Sequence, residues 1–178
     1  MKNYKIILAH PGRQHSFRVA KALKESGHLF KYITTVYNKD VSIFMKLAKL
    51  LINKDNLIRA EKRKSKHIDD EDVILFNEFI SYILLIVLRL DTSRKIFVWL
   101  NDLVKNSFGK KVARYAIKNN VDAVICYDTN ARTCFEILEK QAPHIIRIID
   151  HAAAPRNYLH KIFNDPNLEN DIFKKTYK

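Results

Sequence analysis

The sequence predicts an α/β domain built on a mainly parallel β-sheet, and three observations indicate this fold class. Short apolar runs alternate with helical patterns at both ends of the chain, over residues 5–36 and 121–149. The runs are continuous rather than alternately apolar and polar, which is typical of strands buried on both faces. Residues 41–119 show helical spacing without a clear strand. We therefore expect helices on both faces of the sheet and a helical insert after the second strand.

The N-terminal elements form one strand–helix–strand unit. Residues 5–10 are an apolar run that ends in His-Pro-Gly, and they predict the first strand. Ser16 stands where it can cap the next helix, and Gly27 stands where it can end it. Residues 29–36 are rich in β-branched and aromatic side chains and predict the second strand.

The insert is expected to be mainly helical, with a polar, basic loop or frayed helix over residues 54–66. Helical spacing predicts helices over residues 69–90, 92–105 and 110–118, with Gly109 separating the last two. The most apolar stretch is interrupted by polar side chains and is shorter than the ~20 residues that a membrane span needs. It therefore predicts a buried helix.

The C-terminal elements repeat the alternation. Residues 121–127 predict a strand, residues 131–140 a helix and residues 145–149 a further strand. A final helical pattern begins at about residue 155. We expect the whole chain to be one domain, with parallel strands joined by right-handed crossovers.

Composition narrows the partners that the chain can have. The net charge of +13 favours polyanions, such as nucleic acid, nucleotide phosphates or an anionic membrane surface. No nucleic-acid-binding motif accompanies the charge, so we do not expect nucleic acid as the partner. Cys126 and Cys134 are expected to be buried, reduced thiols. The absence of a signal-peptide pattern predicts a cytoplasmic protein, with peripheral association at the inner membrane face as an alternative.

Two polar clusters follow predicted strands and are expected at the carboxyl edge of the sheet, where ligands bind in such folds. The first loop has one glycine and is no GxGxxG or P-loop motif, but an arginine beside free helix N–H groups suits an anion or a hydroxyl. Turn formation and helix capping are the alternative roles. The candidate substrate-binding residues are His10, Gly12, Arg13, Gln14, His15 and Ser16 in the first cluster, and Asp128, Thr129 and Asn130 in the second.

A third cluster suits acid–base chemistry. Asp150 and His151 directly follow the last predicted strand, and a histidine titrates near neutral pH while a carboxylate can orient its ring. We take both as candidate catalytic residues; a helix-capping aspartate and a surface histidine are the alternative. No cysteine and histidine cluster has zinc spacing, and we expect no metal and no cofactor.

A basic amphipathic stretch lies early in the insert. Its apolar positions recur on one helical face beside lysines, which suits either contact with anionic lipid or packing on the sheet. The candidate membrane-facing residues are Phe44, Lys46, Leu47, Lys49 and Leu51.

Four segments resemble the N-terminal domain of bacterial family 4 glycosyltransferases. They are residues 5–20, which contain the string His-Pro-Gly-Arg-Gln-His, residues 29–37, residues 122–131, and residues 148–156 with Ile-Ile-Asp-His and Pro-Arg. The resemblance covers nearly the whole chain, and the first string is its most specific part.

The resemblance implies a GT-B fold, in which two Rossmann-like domains face each other across a cleft. It implies that the N-terminal domain binds a glycan or lipid-linked acceptor, that a C-terminal domain binds the nucleotide-sugar, and that no metal is needed. Surface polysaccharide synthesis at the inner membrane face is the implied setting. The chain stops at Lys178, where a second domain would begin, so we expect a truncation, one half of a split enzyme or a fragment. The alternative is a stand-alone Rossmann-like module that binds a nucleotide or anionic lipid without catalysis.

Overall fold

The fold is an α/β domain with a five-stranded, all-parallel sheet. The computed structural model describes residues 3–12, 15–39, 64–127 and 130–150. The strands are β1 (Ile6–Ala9), β2 (Leu29–Thr34), β3 (Val73–Leu75), β4 (Ala123–Tyr127) and β5 (Ile146–Asp150). They lie side by side in the order β3-β2-β1-β4-β5, and every pair is parallel. The predicted parallel sheet is thus confirmed.

Helices cover both faces of the central strands, whereas the edge strand β5 is exposed among the described residues, contrary to the prediction of a strand buried on both faces. The helices are α1 (Ser16–Glu25), α2 (Glu78–Leu90), α3 (Lys95–Lys118) and α4 (Ala131–Gln141). Side chains alternate along each strand, so Ile7 and Leu8 of β1 enter different cores. Ile7 packs with side chains of α3 and α4, whereas Leu8 packs with Ala20 of α1. The predicted two-faced arrangement is confirmed, and it places α1 and α4 on opposite faces.

This arrangement makes a topological switch point between the two central strands. β1 and β4 are neighbours, but the chain leaves β1 toward α1 on one face and leaves β4 toward α4 on the other. The two connections therefore diverge at the carboxyl edge of the sheet. A crevice at such a switch point is where open parallel sheets bind ligands.

The prediction that residues 41–119 contain no strand is wrong for Val73–Leu75, which pairs in parallel with β2 at the edge of the sheet. A short 3-10 helix, Asp70–Asp72, precedes it. Three residues are too few to show a two-residue period, and here they run directly into an apolar helix. The helix α2 that follows is also less buried than predicted, since Leu88 and Leu90 are exposed.

The predicted break at Gly109 is also wrong, because α3 continues through it without interruption. A Cβ atom at Gly109 would lie 3.1 Å from the backbone nitrogen of Cys134 and 3.1 Å from Cβ of Thr133. The glycine thus permits a close approach of α3 to the start of α4. A mid-helix glycine is tolerated where it allows such packing.

Helix α1 begins and ends as predicted, but not by the predicted cap. Gly27 follows the helix with φ of +74°, a left-handed conformation that favours glycine. Ser16 does not cap the helix with its side chain; its hydroxyl oxygen lies 2.9 Å from the Tyr32 hydroxyl in the interior. Burial of this pair raises the pKa of Tyr32 to about 12, and the Ser16 hydrogen bond opposes that rise. Ser16 is therefore part of the core.

The cysteines are as predicted. Cys126 in β4 and Cys134 in α4 are both buried and both free. The Cys134 side chain and burial together raise the pKa of the Cys126 thiol, which keeps it protonated. Residues 40–63, with the amphipathic stretch, and residues 151–178 lie outside the described residues.

Candidate crevice at the carboxyl edge of the sheet

The described members of the three predicted clusters meet around Tyr127, the last residue of β4. The ring of His10, which follows β1, packs edge-on against the ring of Tyr127 with centroids 4.5 Å apart. Asn130 follows β4 and reaches across to β1, and Asp150 is the register partner of Tyr127 on β5. The predicted convergence of these loops is therefore what the fold produces. We call this set, His10, Tyr127, Asn130 and Asp150, the crevice cluster.

His10 is held in one orientation. It is only 3% exposed, and its backbone N–H donates to the carbonyl of Ile33, 3.0 Å away. Its Nδ1 accepts a hydrogen bond from the backbone N–H of Gly12 at 2.8 Å. Because Nδ1 is an acceptor, the proton of the neutral ring is on Nε2. His10 therefore presents an N–H donor from Nε2.

The loop that follows His10 is fixed by its small residue and by the end of β2. A Cβ atom at Gly12 would lie 3.0 Å from Cε1 of His10, so only glycine lets the imidazole fold back over the loop without a shift. The Thr35 hydroxyl donates to the carbonyl of Pro11 at 2.6 Å, and the Thr34 hydroxyl lies 3.5 Å from the carbonyl of Gly12. The positions of Pro11 and Gly12 are thus set by His10, Thr34 and Thr35.

Asn130 connects the two sides of the crevice. It occupies the position before α4 but makes no side-chain cap, contrary to its alternative role as a helix cap. Its Nδ2 lies 3.5 Å from the carbonyl of Ala9, and the residue is 5% exposed. Its Oδ1 is buried without a hydrogen-bond partner among the described residues. Leaving a buried acceptor unpaired costs about 1–3 kcal/mol. A ligand that donates a hydrogen bond to this oxygen would remove that cost.

Tyr127 and Asp150 give the β5 side of the crevice its electrostatics. Tyr127 is fully buried, and desolvation together with the nearby Asp150 carboxylate raises the pKa of its hydroxyl well above the ordinary value. The tyrosine therefore stays neutral at physiological pH. The carboxylate adds negative charge at this end of the crevice, which disfavours an anionic group there.

The other predicted site residues divide into two groups. His15 is exposed at the start of α1, and Ser16 points into the core, so neither contacts the crevice cluster through a described hydrogen bond. The rest lie outside the described residues: Arg13, Gln14, Asp128, Thr129, His151, Phe44, Lys46, Leu47, Lys49 and Leu51.

Sequence reasoning missed Tyr127, Thr34 and Thr35. Each lies at the end of an apolar run, where a tyrosine or threonine is taken for part of the strand. The available signal was position: a hydroxyl-bearing residue at the carboxyl end of a parallel strand faces the edge where ligands bind.

Three further findings concern metal binding, membrane-spanning helices and similar proteins. The described residues contain no group of three or more histidine, cysteine, aspartate or glutamate side chains that could hold a metal ion. Within the same residues, no helix is long and apolar enough to cross a bilayer. Comparisons of the chain with protein-family profiles, with curated protein sequences and with solved structures found no match.

Proposed function

We propose that this chain is the acceptor-binding, N-terminal half of a GT-B-type glycosyltransferase, which works with a nucleotide-sugar bound by a second domain or a partner chain. The acceptor would be a glycan or a lipid-linked sugar in surface polysaccharide synthesis. The resemblance of residues 5–20, 29–37, 122–131 and 148–156 supports the proposal. The parallel sheet and its switch-point crevice are consistent with it.

The buried Oδ1 of Asn130, which has no hydrogen-bond partner among the described residues, carries the proposal. An amide oxygen accepts a hydrogen bond, and Nε2–H of His10 in the same cluster is a donor. A sugar hydroxyl both donates and accepts, so it is a suitable partner for the Asn130 oxygen. The crevice cluster therefore has the chemistry of a site for a neutral, hydroxylated ligand.

The charge of the crevice cluster favours a neutral sugar acceptor over a nucleotide as its ligand. Asp150 is an anion at the β5 end, and the described part of the first loop has none of the glycine-rich cradle that holds dinucleotide phosphates. A phosphate would be repelled by the carboxylate, whereas a sugar hydroxyl can donate to it. The proposed roles of Asp150 and His151 in acid–base catalysis follow the same logic, since deprotonating an acceptor hydroxyl needs a base at its oxygen.

Ligand titration followed by NMR tests this proposal. The probes are a panel of methyl and short alkyl glycosides, below micelle-forming concentration, and UDP-glucose as a representative nucleotide-sugar. We expect glycosides to shift the backbone amides of Gly12 and Ala131, which flank the crevice cluster. We expect UDP-glucose to leave these amides unmoved. Specific binding of the nucleotide-sugar in the crevice, with no response to any glycoside, would instead indicate the nucleotide-binding module.

One substitution separates the ligand-binding role of His10 from its structural role. Asparagine places an acceptor where Nδ1 stands, so His10→Asn retains the bond from Gly12 but removes the Nε2 donor. We expect this variant to fold and to bind glycosides at least tenfold more weakly, since a donor bonded to a ligand hydroxyl is lost. His144→Gln is the matched control, because His144 is exposed at the opposite end of β5. Equal glycoside binding by both variants would remove His10 from the site.

A further inference from the structure

The hairpin of α2 and α3 exposes a set of large apolar side chains near its turn. Leu90 is 76% exposed, Ile96 60% and Trp99 66%. We call this set the hydrophobic tip; its members are Leu88, Leu90, Ile96, Val98, Trp99 and Leu103. All lie within about three helical turns of the connection between α2 and α3. So many exposed large apolar side chains near one turn of a charged protein indicate an interaction surface.

The tip extends beyond the sheet at its carboxyl edge. Gly109 of α3 lies against the start of α4, since a Cβ there would be 3.5 Å from the carbonyl oxygen of Asn130. Asn77, just after β3, bonds through its Nδ2 to the carbonyl of Val104 at 3.2 Å. Val104 therefore lies at this edge, and the helix from Val104 back to Lys95 extends roughly 10–15 Å past it, at about 1.5 Å per residue. The crevice cluster and the tip are at the same end of the domain.

One face of α3 changes character along its length. Lys110 and Arg114 are exposed, and they lie about three turns after Trp99 and Leu103 on the same side of the helix. Near the sheet this face is basic, and beyond the sheet it is apolar. The change occurs where α3 extends past the carboxyl edge of the sheet. The position indicates that the exposed apolar side chains serve a contact outside the described core.

Asp91 makes hydrogen bonds within the connection that carries the tip. Asp91 Oδ2 accepts a hydrogen bond from the backbone N–H of Phe97 at 2.8 Å, in the first turn of α3. Ser93 donates to the other carboxylate oxygen at 2.7 Å. Asp91 thus satisfies an otherwise unpaired helix N–H and ties the turn to the start of α3.

The charge of the hairpin favours an anionic bilayer over a second copy of the chain as the partner of the hydrophobic tip. Residues 78–118 contain eight lysines and arginines against three acidic residues, which are Glu78, Asp91 and Asp102. The chain as a whole carries +13. A second copy would bring like charges together, which disfavours self-association through this surface. An anionic bilayer attracts the basic residues and accepts the apolar side chains and the tryptophan at its interface.

We propose that the hydrophobic tip docks the domain on an anionic membrane surface, with the crevice facing the bilayer. The docking element is α3 and the turn before it, rather than the stretch around Phe44 and Leu47, for which the sequence left membrane contact and packing on the sheet open. The inference goes beyond glycosyl transfer and does not depend on it, because none of its observations lies in the crevice cluster. A glycoside titration and a vesicle titration can therefore succeed or fail separately.

Trp99 is the only tryptophan of the chain, which makes it a direct probe. Its fluorescence is followed while the full chain is titrated with phosphatidylcholine vesicles or with vesicles that also contain phosphatidylglycerol. We expect a blue shift, and quenching by brominated acyl chains, with the anionic vesicles. Both effects should weaken with salt as screening increases. Neutral vesicles that bind as well as anionic ones would overturn the charge argument.

Variants distinguish the tip from the rest of the surface. Leu90→Ser combined with Ile96→Ser keeps the tryptophan and should raise the lipid concentration for half-maximal binding at least tenfold. Ile146→Ser is the matched control, because Ile146 is 56% exposed on β5, and it should bind as the parent does. Circular dichroism checks that all three proteins fold alike. An unchanged tip variant would overturn the proposal.

Two competing occupants give opposite results. If a second copy covers the tip, light scattering without lipid shows a dimer that the tip variant abolishes. If the predicted stretch carries the membrane contact, Phe44→Ser combined with Leu47→Ser abolishes vesicle binding while the tip variant retains it. Either result would refute docking through the tip.

Discussion

The two halves of α3 differ in how their apolar side chains are buried, although they belong to one continuous helix. From Phe108 to Ala116 the inward side chains are fully buried against the sheet and α4, and the outward ones are charged. From Ile96 to Leu103 four large apolar side chains are exposed, beside the charged Asp102. The buried half is amphipathic in the way that a core helix requires. The exposed half has apolar side chains that do not pack in the described core. These exposed side chains contribute little to stability and are available for binding.

Truncation of one aromatic side chain in each half measures this difference, and it is the largest effect we expect. Phe108→Ala removes a fully buried ring and should lower the free energy of unfolding by about 3–5 kcal/mol. Trp99→Ala removes a larger ring that is 66% exposed and should change it by less than ~0.5 kcal/mol. Urea unfolding followed by circular dichroism gives both values. A large loss for Trp99→Ala would mean that the exposed half packs on the domain, and the comparison would fail.

Gly109 marks the closest approach of the buried half, and its replacement should have an intermediate effect. In an isolated helix, glycine to alanine is favourable by about 1 kcal/mol. Here the new methyl group would lie 3.1 Å from backbone and side-chain atoms of α4, so α3 must move away. We expect Gly109→Ala to destabilise the fold by about 1–3 kcal/mol. Lys110→Ala, at the next, exposed position, is the control and should be near neutral.

A stabilised Gly109→Ala protein would show that α3 can shift without cost. That result would also question the position of the tip, because contacts near Gly109 fix how far α3 extends past the sheet.

The sequence predicted the centre of the fold better than its edges. β1 and β4 are continuous apolar runs bounded by polar or glycine-containing turns, and such runs are specific for buried parallel strands. β3 is short, lies at the sheet edge and is followed at once by an apolar helix, so no period distinguishes it. Gly109 was misread because its role depends on the distance to α4, which local sequence does not contain.

The candidate site shows the same limit. The positions of His10, Asn130 and Asp150 after strands were enough to predict that they meet, because parallel strands share a carboxyl edge. The contribution of Tyr127 depends on which residue of β5 is its register partner, and that residue is Asp150. The hydrophobic pattern specifies which face a side chain takes, but β4 and β5 are parallel and joined by a helix, so no tight turn specifies which residues stand opposite each other. The electrostatics of the crevice therefore became visible only in the structure.

The smallest effect that we predict concerns the turn between the two helices. Hydrogen bonds from the Phe97 backbone N–H and from Ser93 hold the pKa of Asp91 below its ordinary value of 3.8. Because the folded pKa is the lower one, the turn is stabilised above about pH 4, and this contribution is lost as pH falls through the folded pKa. Amide exchange at Phe97 should accordingly report weaker protection as the carboxylate is protonated. In Asp91→Asn, protection should be lower at neutral pH and should lack this acid transition. The control Asp102→Asn alters an exposed acid on the same helix and should keep it. A transition that persists in Asp91→Asn would show that another group orders the turn.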